Sequence, residues 1–169
     1  MKLIPEWHEH QYCLIAWPCN IDMYGNLINF ARLEVANVID EIAKTERVIV
    51  LSNENDVNDV KEKTNSENID IVECKLDDSW MRDIAPIFYS ENKKLKSINF
   101  EFNGYGKYPN YYNDNNVSQF INNYLKISTK VSDLVIEGGA IAYDDKKNLF
   151  STKNVIFNKN RKQKHNSEY

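Results

Sequence analysis

The sequence is poor in the residues that punctuate or cross-link a chain: its 169 residues hold only 5 glycines, 4 prolines and 3 cysteines. That excludes a collagen-like or low-complexity chain. Cys13, Cys19 and Cys74 are an odd number at irregular spacing, so they form neither a disulfide framework nor a zinc ribbon. Histidine is equally scarce, with His8, His10 and His165. His8 and His10 stand two apart in a polar stretch without a third ligand nearby and read as surface residues. No metal and no cofactor are expected. No apolar run approaches the roughly 20 residues a membrane helix needs, and the start of the chain turns polar too early for a signal peptide. The 21 Lys and Arg against 25 Asp and Glu give a net charge of -4, without the basic excess of a nucleic-acid binder. These absences describe a reduced, cytoplasmic protein that engages neither membrane nor nucleic acid. The acidic balance suits a small cationic ligand.

Apolar residues make up 42% and aromatics 12%, enough to build a core. At a prior of about 150 residues per domain, residues 1–161 are expected to form one domain, and 162–169 a polar, disordered tail. Residues 11–17 form a short apolar run stopped by Pro18 and read as a buried strand. From Asn26 to Lys44 the apolar residues Leu27, Phe30, Ala31, Val35, Val38, Ile39 and Ile42 have helical spacing. Strands are expected over 47–51 and 69–74, with a solvent-facing helix over 54–63 between them. Strands over 84–89 and 95–102 flank a polar hairpin connection. Residues 103–116 read as a loop, 117–125 as a short helix and 132–136 as a strand. Residues 141–143 and 148–152 read as a second hairpin. From Asn158 onward the chain lacks an apolar anchor until its last residue.

The order helix, strand, acidic segment, hairpin occurs twice. It points to repeated mixed α/β modules and away from a doubly wound parallel sheet.

Three segments carry polar or glycine residues that local propensity does not require. In Asp77-Asp78-Ser79-Trp80-Met81-Arg82-Asp83, three carboxylates and an arginine surround a tryptophan just before an apolar strand. Carboxylates so placed bind cations or act as acid–base groups. The alternative is an Arg82–Asp pair on a turn with Trp80 plugging the core. In Phe102-Asn103-Gly104-Tyr105-Gly106-Lys107, two glycines flank an aromatic, allowing positive φ or close backbone approach, or forming an ordinary loop. In Ile136-Glu137-Gly138-Gly139-Ala140, apolar flanks draw a carboxylate toward the interior, where a cation or donors must pair with it. A cationic substrate would be such a partner; the alternative is a bulge with Glu137 on its exposed side. Cys13 and Cys74 read as core, and Cys19 as a loop residue without an adjacent base.

Taken in order, Ile4-Pro5-Glu6-Trp7, Ala16-Trp17-Pro18, Trp80-Met81-Arg82-Asp83-Ile84-Ala85-Pro86, Phe102-Asn103-Gly104-Tyr105-Gly106-Lys107, Glu137-Gly138-Gly139 and Asn158-Lys159-Asn160-Arg161 resemble the N-terminal half of the agmatine deiminases, grouped with the bacterial-type peptidylarginine deiminases. The likeness covers residues 4–161; one small departure is Ala85, where that family usually has Gly. It implies a pentein-like α/β propeller of repeated ββαβ modules, here stopping before closure. It also implies a C–N hydrolase of linear amidines, one that converts agmatine and water to N-carbamoylputrescine and ammonia in putrescine biosynthesis or, as the alternative, a peptidylarginine deiminase. By the same resemblance Asp83 and Glu137 are the catalytic and guanidinium-binding carboxylates, Trp80 contacts substrate, and Arg82, Gly138 and Gly139 support them.

In that family a cysteine thiolate attacks the guanidinium carbon and ammonia leaves. A histidine of a His-x-Asp motif protonates the leaving group and activates water. This sequence has no His-x-Asp, and none of its cysteines stands in a late glycine-rich motif. The chain alone is therefore expected to be inactive: an incomplete hydrolase, a guanidine-binding module, or one part of an assembly with a C-terminal half or with further copies. An incomplete propeller should also leave apolar surface uncovered around Val135 and Ile136 and over 150–157.

Overall fold

A computed structural model describes residues 2–161. The expected polar tail 162–169, with His165 in it, lies outside the described residues. The element order is β1 (Lys2–Leu3), β2 (Tyr12–Ala16), α1 (Ile21–Tyr24), α2 (Ile28–Ala43), β3 (Arg47–Ser52), α3 (Val57–Lys63), β4 (Ile69–Glu73), α4 (Met81–Ile84), β5 (Ile87–Glu91), β6 (Lys94–Glu101), α5 (Asp114–Tyr124), β7 (Ser128–Val135), β8 (Ala142–Tyr143), β9 (Leu149–Phe150) and α6 (Lys153–Ile156). The fold is mixed α/β, as expected. The chain divides into two compact units: one joins the described residues up to His8 with those from Arg82 onward, and the other is Glu9–Met81. No helix among the described residues is long and apolar enough to cross a membrane.

In the Glu9–Met81 unit, β2, β3 and β4 form a parallel sheet with β3 in the middle. The unbroken run Val48-Ile49-Val50-Leu51 is buried, as suits a central parallel strand covered on both faces. The run expected to be a buried strand is β2, at one side of this sheet and mostly half-buried. Helix α2 packs through Ala36, Ile39 and Ala43 against Trp17, Val48, Val50 and Val60. The spacing also placed Leu27 and Phe30 on the core side, yet Phe30 is 67% exposed. The apolar stripe of this helix is wider than one face. At about 100° per residue, Leu27, Phe30 and Val38 fall opposite the small alanines that approach the sheet.

A polar clasp closes this unit. Arg32 donates from Nε to the Pro18 carbonyl (2.9 Å), from Nη1 to Asp59 (3.0 Å) and from Nη2 to Asp56 (2.7 Å). Asp59 also accepts from the indole of the fully buried Trp17 (3.1 Å) and pairs with Lys63. The fork ties α2, α3 and the end of β2 together.

In the other unit the sheet order is β1-β5-β6-β7: β1 and β6 flank β5 antiparallel, and β7 runs parallel to β6 with an irregularity between Asn99 and Glu101. The β5–β6 connection turns at Asn92 and Lys93, both at positive φ, the geometry that matches strand twist in a two-residue hairpin. Helix α5 buries Val117 and Ile121, and Ser97 Oγ donates to the buried Asn122 side chain (2.7 Å).

Three expectations are corrected. The strand expected from Ile84 begins at Ile87, and Met81–Ile84 forms one helical turn. Pro86 restricts Ala85 to extended backbone and separates turn from strand. Strand β7 begins at Ser128, and Val135 and Ile136 are themselves buried; the exposed apolar side chains are Val131 and Leu134 on the same strand and, further on, Leu149, Phe150 and Phe157. Residues 158–161 are not an unanchored tail: Lys159–Arg161 form a 3-10 turn with Arg161 buried.

The clasp sets a testable stability. Truncating Arg32 leaves the half-buried Asp56 without its cation and Asp59 with Lys63 alone, so Arg32→Met should lower unfolding free energy by about 3 kcal/mol in urea at neutral pH. Burial alone would raise the Asp59 carboxyl. The hydrogen bonds from Lys63 and Trp17, and the charge of Arg32, outweigh burial and hold the carboxyl below its ordinary value. A depressed carboxylate stabilises the fold above its unfolded pKa, near 4, and that contribution disappears as pH falls through the folded value. Urea midpoints of the parent should therefore drop steeply below about pH 4, and Asp59→Asn should flatten that limb.

Candidate functional site

The two acidic motifs, Asp83 and Glu137, lie 54 residues apart in sequence. The fold brings their segments together within one unit. Asp83 sits in the α4 turn, and Glu137 precedes a 3-10 turn at Gly138–Ala140 that follows β7. Gly139 donates its backbone N–H to Asp83 Oδ1 at 3.0 Å. Gly138 lies so close to the Arg82 carbonyl that no Cβ fits between them, and a Cβ on Gly139 would collide with the Asp83 carboxylate. This is close backbone approach of the kind glycine permits.

Arg82 points away from Asp83. It pairs with Glu6 and reaches the Ile141 carbonyl at 3.4 Å. The turn is thus held by an arginine that bonds a carboxylate and a carbonyl, and the alternative of a local Arg82–Asp pair is replaced by the Glu6 pair.

Glu137 is 2% exposed, which rules out a bulge that turns it to solvent. Its Oε2 pairs with Arg161 Nη1, so the required partner of the buried carboxylate is a side chain of the chain itself. The sequence holds Arg161 in the motif Asn158-Lys159-Asn160-Arg161 without identifying its partner. A buried acid followed by a later arginine was the only available signal. Glu137 Oε1 and Arg161 Nε are buried without a hydrogen-bond partner among the described residues. The pair is neutral overall and leaves one acceptor, Glu137 Oε1, buried and unpartnered.

Tyr105 is the second residue that sequence reasoning passed over. Its hydroxyl donates to Asp83 Oδ2 at 2.7 Å. Its backbone is left-handed (φ 63°, ψ 15°), inside the turn Gly104–Gly106. A non-glycine residue held there costs about 1–3 kcal/mol and persists where its surroundings impose it. The ring stands edge-on to Phe102 at 5.1 Å and to Tyr108 at 6.1 Å. The aromatic between two glycines was visible in the sequence; its hydrogen bond was not.

Trp80 belongs to the Glu9–Met81 unit. It is 48% exposed, so it is no core plug, and its indole donates to Asp78 at 3.1 Å. Asp78 also accepts from Asn20 (3.3 Å) and from the Ser79 backbone (2.8 Å), and so organises its own loop. The three cysteines lie in the same unit, none in a disulfide. Burial pushes the Cys13 thiol up and Glu46 adds to the shift, the reverse of what activates a nucleophile. His10 pairs with Glu46 at 2.6 Å. Among the described residues no three His, Cys, Asp or Glu side chains gather as metal ligands.

A family model of Porphyromonas-type peptidyl-arginine deiminases matches residues 2–169. The chain is 28% identical over 167 residues to an agmatine deiminase of Pseudomonas aeruginosa, covering 95% of this chain and 45% of that one. It is 28% identical over 170 residues to the agmatine deiminase of Medicago truncatula, covering 92% and 45%. It shares its fold with a solved C. jejuni agmatine deiminase at a TM-score of 0.85 and 24% identity, over 95% of this chain and 48% of that one. The chain thus spans about half the length of the relatives it matches.

The glycine pair yields a graded expectation. A methyl at Gly138 meets a backbone oxygen that cannot step aside, whereas a methyl at Gly139 meets a side-chain carboxylate that can turn away by giving up its hydrogen bonds. Both overpack the turn, at about 1–3 kcal/mol. Gly138→Ala should sit at the upper end of that range and Gly139→Ala at the lower, read from urea unfolding of the two variants side by side.

Proposed function

The chain belongs to the Porphyromonas-type peptidyl-arginine deiminase family, and from that premise we propose that it supplies the carboxylate part of a guanidine-hydrolysing site. One observation carries this reading. A half-buried carboxylate, Asp83, is held by two donors beside the segment of a buried carboxylate, Glu137, that keeps an unpartnered oxygen. Such an arrangement favours a planar cation with several N–H groups, which carboxylates bind by paired, charge-assisted hydrogen bonds.

The proposed substrate is agmatine and the proposed reaction its hydrolysis to N-carbamoylputrescine and ammonia, a step toward putrescine, in a cytoplasmic setting. Asp83 would orient and neutralise the guanidinium, and Glu137 would accept a further N–H. The nucleophilic thiol and the histidine that this chemistry needs would come from the length that the relatives have in addition. A second reading, a guanidine-binding module without turnover, is favoured by the Cys13 thiol, which burial and Glu46 push up, the reverse of an activated nucleophile.

The two readings agree on a result for the chain by itself. It should bind agmatine in calorimetry and release no ammonia from it, since loss of a nucleophile removes several orders of magnitude in rate. Asp83→Asn should abolish the binding. Unchanged binding in that variant would refute the carboxylate assignment. Turnover abolished by a single change at Cys13, Cys19 or Cys74 would show that the nucleophile lies within this sequence.

A further inference from the structure

We propose that Tyr105 is a specificity-determining positioning residue: its hydroxyl fixes the plane of the Asp83 carboxylate so that the site selects planar guanidinium groups over alkylammonium groups. The inference rests on the reading of Asp83 as the guanidinium acceptor.

A carboxylate on a short side chain ordinarily turns about its last bond, whose torsion is broad and shallow. Asp83 has lost that freedom. Gly139 N–H donates to Oδ1 at 3.0 Å and Tyr105 O–H to Oδ2 at 2.7 Å, one donor on each oxygen, so rotation breaks both bonds together. Each oxygen accepts through two lone pairs and has spent one on these donors. One acceptor direction per oxygen is left for a ligand. A guanidinium presents two parallel N–H bonds in a rigid fork and gains from a carboxylate whose plane is set in advance; an ammonium is a compact point charge whose N–H bonds rotate to suit any orientation. Locking the plane therefore favours the first and does little for the second.

Two further observations indicate that Tyr105 is held for this task. Its left-handed backbone is unfavourable for a residue with a side chain, and such outliers point to function where the surroundings enforce them. Its ring is gripped edge-on by Phe102 and Tyr108, leaving the hydroxyl little room to leave Asp83. Donors on the two oxygens come from different turns, Gly104–Gly106 and Gly138–Ala140, so neither motif positions the carboxylate alone.

The test titrates the full 169-residue chain with butylguanidinium and with butylammonium, followed by calorimetry or NMR. The parent should prefer the guanidinium. Tyr105→Phe keeps the ring and its packing but removes the donor. It should weaken butylguanidinium about tenfold, the loss of one hydrogen bond to a charged group, while butylammonium affinity stays within about twofold. Gly139→Ala, which pushes the same carboxylate from its other oxygen, should flatten the preference as well. Equal weakening of both ligands in Tyr105→Phe, or weakening of neither, would overturn the inference while leaving Asp83 as the acceptor. Asp83→Asn should abolish both affinities. If it does not, or if the parent binds no butylguanidinium up to about 10 mM, the reading of Asp83 itself falls, and the inference with it.

Discussion

The approach of Gly138 to the Arg82 carbonyl is the constraint from which the rest of the site follows. With backbone against backbone, the next residue, Gly139, brings its N–H onto the Asp83 carboxylate, and the preceding one, Glu137, is carried into the interior. A carboxylate there must be matched, and Arg161 matches it from the last turn of the described chain. Removing one member of such a pair costs about 3–5 kcal/mol, because the other stays buried and unpaired. The glycine contact therefore determines where Arg161 docks and, through the Asn103 side chain, which bonds the Asn160 carbonyl at 3.2 Å, where the loop carrying Tyr105 lies. One contact that excludes a methyl group thus links four motifs that are scattered through the sequence.

Much of this was legible in the residues. The helical spacing before Lys44, the β-branched run of β3 and the polar hairpin at Asn92 and Lys93 all correspond to observed elements, because local pattern and burial agree there. Where they differ, a distant contact or a single residue decides. Leu27 and Phe30 follow helical periodicity yet face outward, because the small Ala36 and Ala43 let α2 approach the sheet from its other side. Ile84 looked like strand, but Pro86 puts the break after a helical turn. Asp83 and Glu137 stood out as acids beside glycines or before an apolar run. Arg161 did not, since nothing in a polar segment tells which of its cations will be buried. Tyr105 was hidden for another reason: the sign of its φ and the target of its hydroxyl belong to three dimensions alone.

The two carboxylates are also electrostatically unequal, and that inequality bears on how a cation would be shared between them. Glu137 is neutralised by Arg161, and its other oxygen, Oε1, lies buried without a hydrogen-bond partner among the described residues. Asp83 is held by two neutral donors, a backbone amide and a phenol, which orient it without cancelling its charge. Arg82, the nearest cation in sequence, is diverted to Glu6 and the Ile141 carbonyl. The Glu6 pair thus has a consequence beyond holding the turn: were Arg82 to fold back onto Asp83, it would occupy the acceptor that a guanidinium needs, and with the same chemical group. On the proposed reading of Asp83, an arginine kept beside the carboxylate but bonded elsewhere lets the sequence Arg82-Asp83 serve both purposes. The arginine braces the backbone that carries the acid, and the acid is left for the cation proposed to bind there.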